Sequence, residues 1–148
     1  MAPVFPDGAD PQVLEDVSDL LHRVARRLRA RANAELGPLG LTPAQARALR
    51  TLGRSEAPIR MSELADRLRI ARRSTTDVVD ELVRRGYVER APDPTDGRAI
   101  AVTVSGEGRA VLAALVAMRH RALADLAADL DPADLEALRR LLARLDVA

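Results

Sequence analysis

Apolar residues recur along this chain at two spacings, and the switch between them divides it. From Val13 they fall at Val17, Leu20, Leu21, Val24 and Leu28, the three-and-four rhythm of one helical face. The spacing predicts a long first helix that ends near Gly37-Pro38. Its other face carries Arg23, Arg26, Arg27, Arg29 and Arg31, which suits water as well as a polyanion. Thr42-Pro43-Ala44-Gln45 predicts the next helix start, with threonine as cap, proline at the first helical position and glutamine three residues after the cap. That helix continues through Ala48, Leu49 and Leu52 and stops around Gly53. Ile59-Arg60 predicts a short strand. Met61 to Leu68 predicts a short third helix with Leu64, Ala65 and Leu68 turned inward.

Arg69-Ile70 then makes a tight turn, and a fourth helix runs from about Arg72 to Arg85, closed by Gly86. Thr75, Val78, Val79 and Leu82, at offsets of three, four and seven, form its inward stripe. Arg72, Arg73, Ser74, Thr76 and Asp77 are left on or near the outer surface of its N-terminal end. After Gly86 the rhythm changes to that of strands. Tyr87 to Arg90 predicts one strand, Pro92 to Arg98 a turn-forming tip, and Ala99 to Val104 a returning strand of alternating small and β-branched residues. Two short helices joined by so tight a turn match the helix-turn-helix, whose second helix lies in the DNA major groove. The hairpin adds a wing.

Ser105 caps a long fifth helix, with Val111, Leu112, Leu115, Val116, Leu123 and Leu126 assigned to one side. Asp131-Pro132 starts a sixth, which carries Leu135, Leu138, Leu141, Leu142 and Leu145. The first helix, the end of the fifth and the sixth present more apolar surface than so thin a core can use. Association of two chains is the natural outlet; packing on one another within one chain is the alternative.

Composition sharpens this picture without redirecting it. At 148 residues with 47% apolar content but only 1% aromatic, the core must be Leu, Val and Ala, which favours helices. No cysteine is present, so disulfides, thiolate metal sites and thiol redox sensing are excluded. The 23 basic and 22 acidic residues nearly cancel, so only the placement of charge can argue for a partner. All the basic residues are arginine; that suits phosphate and base edges but equally reflects a codon bias. Residues 1 to 10 read as a flexible arm without a basic and apolar leader, and no window is apolar over ~18 residues. The expectation is a soluble cytoplasmic protein with no membrane partner. The lone His22 and His120 make no metal site, Gly106-Glu107-Gly108 lacks the rest of a nucleotide loop, and no nucleophile or metalloprotease motif occurs. No cofactor, metal or catalytic residue is expected.

Three patterns carry a family resemblance over essentially the whole chain. They are Leu41-Thr42-Pro43-Ala44-Gln45 with Leu49 and Leu52; Met61 to Leu68 leading into Val78 to Arg90; and Asp93-Pro94-Thr95-Asp96-Gly97-Arg98-Ala99 followed by Val102-Thr103-Val104-Ser105 and Gly108. The chain resembles the multiple antibiotic resistance regulator (MarR) family of winged helix-turn-helix transcription factors. The expected fold is mainly α with a small β-wing: a winged helix-turn-helix over 42–104 flanked by dimerisation helices over 11–36 and 105–148. The resemblance implies a homodimer on a pseudo-palindromic operator in double-stranded DNA. It commonly represses, and releases DNA when a small aromatic or phenolic effector binds near the junction of the dimer and DNA-binding regions. It places that pocket between helices one, two and five, with His22, Arg26, Leu49, Leu112 and Leu115 as candidate linings.

The expected DNA contacts are Arg72, Arg73, Ser74 and Thr76 at the recognition-helix start, where amides and helix dipole favour phosphate, and Arg98 at the wing tip. A guanidinium at a hairpin tip can enter a narrow minor groove, and Asp96 two residues earlier can hold its fork. The alternative is an ordinary surface ion pair. Arg60 and Arg90 are further candidates for backbone phosphate. The sequence departs from the family pattern at Arg69, where glycine is common, and at Asp77, where the family more often has a basic or neutral residue. Asp77 is compatible with pairing to Arg73 four residues earlier or with accepting from cytosine N4. Two other readings remain: a winged helix that docks a protein partner, and an architectural DNA binder with no ligand response.

Overall fold

The computed structural model describes residues 10–146. Apart from Asp10, the expected N-terminal arm lies outside the described residues. Among the described residues six α-helices and three strands follow in order, with a 3-10 turn at Gly37–Leu39 after the first helix: α1 (Pro11–Ala34), α2 (Pro43–Gly53), β1 (Ile59–Arg60), α3 (Met61–Leu68), α4 (Arg72–Arg84), β2 (Val88–Pro92), β3 (Ile100–Val104), α5 (Gly106–Leu126) and α6 (Pro132–Leu145). The described residues form two compact units, one of 34–121 and one of 10–33 with 122–146.

Local chemistry sets most of the element ends. At α2 the Thr42 side chain accepts from the Gln45 amide at 3.2 Å and the Gln45 side chain accepts from the Thr42 amide at 2.9 Å, a reciprocal cap that satisfies two otherwise orphan donors. Asp131 caps α6 with one bond and without the reciprocal one, accepting from the Asp134 amide at 2.8 Å. The α4–β2 turn passes through Gly86 at φ 75°, a left-handed conformation that glycine adopts without steric cost. The α3–α4 turn reaches the same region with Arg69, at φ 52° and ψ 44°, the one non-glycine residue with positive φ among the described residues. A Cβ pressing on a carbonyl is the cost there.

The 34–121 unit encloses a Leu- and Val-rich core. Leu49, Ile59, Leu64, Leu68, Val79, Leu82, Val88, Val102 and Leu115 are all essentially inaccessible to solvent. The strands form one antiparallel sheet in the order β1-β3-β2. In its register Val88 faces Val104, Pro92 faces Ile100 and Ile59 faces Val102. β2 continues two residues beyond the expected end at Arg90, because the ladder to β3 persists to Pro92 at its edge. Thr75 is in the core as its place on the stripe requires, with its hydroxyl donating to the Ala71 carbonyl at 3.2 Å.

Helix α5 corrects one expectation. Its apolar residues do not share a side: Leu115, Met118 and Ala122 are buried, whereas Val116 and Leu123 are more than 40% exposed. The helix is apolar on more than one face, so spacing alone cannot say which face is inside. Its residues up to Arg121 belong with the winged-helix core, since Leu115 and Met118 join that cluster. Ser105 fastens its start, donating to the Gly86 carbonyl and accepting from the Gly108 amide. Gly108 is obligatory for packing, because a Cβ there would lie 1.9 Å from the Tyr87 carbonyl oxygen.

In the second unit the apolar stripes are open. Val13, Val17, Leu20, Leu21 and Val24 on α1 and Leu135, Leu138, Leu141, Leu142 and Leu145 on α6 are each at least 39% exposed. Arg31 and Asp125 approach at 3.9 Å within this unit. No helix among the described residues is long and apolar enough to cross a membrane.

Candidate nucleic-acid interface

Helix α4 begins without a side-chain cap: Ala71, extended at ψ 146°, occupies the cap position and offers no acceptor. Thr75 N–H bonds to the Ala71 carbonyl at 3.0 Å, but the amides of the preceding first-turn residues have no intrahelical acceptor, as at any helix start. Arg72, Arg73 and Ser74 are exposed around these free donors. Free amides, the helix dipole and two exposed arginines therefore share the start of one helix, a place suited to an anionic backbone. Thr76 is narrower in what it can do than its sequence position implies. Its hydroxyl donates to the Arg72 carbonyl at 3.1 Å, leaving lone pairs and a methyl group for any partner.

The wing is built on Asp93, which sequence reasoning placed only in the tip. This carboxylate is 7% exposed and gathers most of the loop's donors. Its Oδ1 accepts from the Thr95 amide at 2.8 Å, the Thr95 hydroxyl at 2.6 Å and the Asp96 amide at 2.9 Å. Its Oδ2 accepts from Arg60 Nε at 2.8 Å, while Arg60 Nη2 reaches Oδ1 at 3.2 Å and the Thr95 hydroxyl oxygen at 2.9 Å. The Arg60 fork, then the Thr95 hydroxyl and the loop amides, hold the Asp93 carboxyl well below the usual carboxylate range. Asp93 raises the Arg60 guanidinium in return. Backbone bonds from the Asp93 amide to the Ala99 carbonyl and from the Ala99 amide to the Asp96 carbonyl close the loop.

Several expected partners are rearranged. Asp96 holds the backbone of Arg98, accepting from its amide at 3.2 Å, instead of its guanidinium. A turn carboxylate two residues before an amide is placed for that bond by local geometry, and the Arg98 side chain is left exposed. Arg60 is engaged by Asp93 and Thr95, and Arg90 by Asp80 on α4, so both tie the wing root to the helices. Arg73 and Asp77 make no ion pair within 4 Å of each other among the described residues. The other acids of α4 are engaged: Glu81 takes Arg84 and Arg85, in that order of effect, and its pKa falls to about 2.

Between the wing root and the starts of α3 and α4 lies a cleft of about 330 Å³, lined by Arg60, Met61, Ser62, Arg72, Thr76, Ala99 and Ile100. It joins the recognition helix to the strand that returns from Arg98, so the two candidate DNA elements belong to one continuous surface of the 34–121 unit.

The candidate effector residues are distributed differently. Leu49 and Leu115 are sealed in the core and Leu112 is half-buried; Leu112 sits so close to Gly53 that a Cβ there would overlap its side chain. In the other unit His22 is exposed, with Nδ1 at 2.8 Å from the Ser18 carbonyl, and Arg26 is exposed. The sequence reading missed Arg50. It is partly buried on α2, and its pKa is lowered first by desolvation and then by Arg119 and Arg54. The signal was the i,i+4 pair Arg50–Arg54 with no acid one turn away on that helix, but Arg119 is too distant in sequence to be linked to it.

Comparison with known proteins bears on this arrangement. Residues 39–99 match the family model described as MarR family. The chain is 34% identical over 131 residues to an uncharacterised HTH-type transcriptional regulator of Mycobacterium bovis, covering 88% of each. It is 31% identical over 126 residues to an HTH-type transcriptional repressor of Mycobacterium tuberculosis, covering 85% of this chain and 90% of that one. The crystal structure of apo wild-type MarR from Escherichia coli superposes with a TM-score of 0.79 at 26% identity, covering 99% of this chain and all of the other. The uncapped α4 start, the three-stranded winged sheet and these similarities lead to one conclusion: the chain belongs to the MarR family of helix-turn-helix transcriptional regulators.

Proposed function

We propose that this regulator is a ligand-responsive repressor that acts in the cytoplasm as a homodimer on a pseudo-palindromic operator. The single observation that supports it best is the pairing, on one unit, of a recognition helix with free N-terminal donors and a wing whose exposed tip arginine makes no ion pair among the described residues. Arg72, Arg73 and Ser74 would meet phosphate and major-groove edges, Thr76 would accept or contact a thymine methyl, and Arg98, its backbone steadied by Asp96, would probe the minor groove.

The open leucine faces of α1 and α6 support self-association. Two copies held through these helices would separate their recognition helices by about one DNA turn, ~34–36 Å. An effector that alters that separation would release DNA. Arg50, without an ion pair among the described residues and beside Arg54 and Arg119, favours an effector that brings an anionic group, as an aromatic carboxylate or phenolate does. Of the candidate linings on this same unit, Leu112 is half-buried and remains its proposed neighbour, whereas Leu49 and Leu115 are sealed in the core.

Recovery of genomic DNA fragments on the purified protein tests the reading. The expected fragments share an inverted repeat and are released by an aromatic acid. Capture without sequence preference would point to an architectural binder, and capture of none to a protein-docking module.

A further inference from the structure

Asp77 is the acid on α4 that the fold does not use. Each helical residue turns the side chain by about 100°. Measured from the buried stripe of Thr75, Val79 and Leu82, Arg73 and Asp77 both point within about 30° of the opposite direction. Asp80 holds Arg90, and Glu81 holds Arg84 and Arg85. Asp77 is exposed and has no cationic partner within 4 Å among the described residues, Arg73 included. A bare carboxylate therefore stands at the centre of the face that the proposed function turns toward DNA.

That position rules out phosphate as its partner, since like charges repel. The major groove offers two hydrogen-bond donors to an acceptor-only carboxylate: cytosine N4 and adenine N6. Adenine presents its N7 lone pair beside N6, whereas cytosine presents no acceptor in that groove. The carboxylate thus matches cytosine better.

We propose that Asp77 is a specificity-determining residue that reads one cytosine in each operator half-site, through its N4 amino group. The inference rests on the DNA-binding reading above and deepens it. In registers that bring it against phosphate, guanine or thymine O4 the same carboxylate meets only negative charge or acceptors, so it also penalises non-specific binding. Arg72, Arg73 and the free amides at the helix start supply the attraction that brings it into the groove.

Selection from randomised duplexes, run in parallel with the wild type, Asp77→Ala and Asp77→Asn, tests this. The wild type is expected to enrich one C·G pair per half-site, and exchange of that pair should weaken its binding about five- to tenfold, the lower end of a base contact. Asp77→Ala should keep the other preferred positions but lose this one, with tighter binding to unrelated DNA. Asp77→Asn should move the preference toward adenine, which an amide bonds through N6 and N7. An Asp77→Ala motif identical to the wild type at every position overturns the proposal, even if affinity rises uniformly, because the acid would then only repel. Failure of the wild type to enrich any sequence would instead overturn the sequence-specific operator-binding reading on which the proposal rests.

Discussion

Arg60 Nε donates to Asp93 Oδ2 at 2.8 Å across 33 residues of chain, and this bond fixes the wing to the start of α3. Arg60 sits at the junction of β1 and α3, and Asp93 at the point where the wing leaves β2. The same carboxylate orders the tip by accepting from Thr95 and Asp96. One residue therefore sets both the root and the turn of the element that presents Arg98. Arg98 can be exposed without being loose.

Asp93→Asn should expose this dependence through pH. A carboxyl whose folded pKa lies below its ordinary value of 3.8 contributes stability that is fully present above about that pH and is lost as pH falls toward the folded value. Melting temperatures measured from pH 6 down to pH 2.5 should fall more steeply for the wild type than for Asp93→Asn. The variant should also bind operator more weakly at neutral pH while keeping its helical circular dichroism. Parallel acid limbs would show that Asp93 is not the group that holds the wing.

Arg69→Gly should stabilise the protein. A side chain in the left-handed region costs ~1–2 kcal/mol, and the extra backbone entropy of glycine returns ~0.5–1 kcal/mol of that. The net gain should be up to about 1.5 kcal/mol, at ~2–4 °C in melting temperature per kcal/mol for a chain of this size. A lower melting temperature would mean that the exposed arginine supports the turn in a way its backbone conformation does not reveal.

Leu20→Glu and Leu141→Glu place a charge on the two open stripes, at positions that are both 51% exposed. If these faces join two chains, each variant should sediment as a monomer and bind operator at least tenfold more weakly, because two half-sites can no longer be engaged together. A dimer of undiminished affinity would place the interface elsewhere.

The elements most legible in the sequence were those with local causes. The reciprocal Thr42–Gln45 cap, the exact Met61–Leu68 span and the stripe of Thr75, Val79 and Leu82 all follow from residues within one or two turns of each other. What escaped depended on chain segments that meet only after folding. The Arg60–Asp93 and Asp80–Arg90 pairs cross from helix or strand to wing, so Arg60 and Arg90 looked available for phosphate when they are engaged. Asp96 pointed to Arg98 correctly but to the wrong atoms, since the turn offers a backbone amide before the guanidinium can fold back. At Arg73 and Asp77 the four-residue spacing permitted a pair, yet exposed partners gain only ~0.3–0.5 kcal/mol from it, too little to hold two side chains together.

Arg98→Ala tests most directly whether the wing tip and the recognition helix form one DNA-reading surface. Titration of a duplex bearing the enriched inverted repeat, at fixed salt and with the dimer verified by sedimentation, should show a loss of about 1–3 kcal/mol per half-site. Doubled by symmetry, that is at least ~30-fold in affinity. Unchanged affinity in a folded dimer would show that the wing tip takes no part in reading DNA.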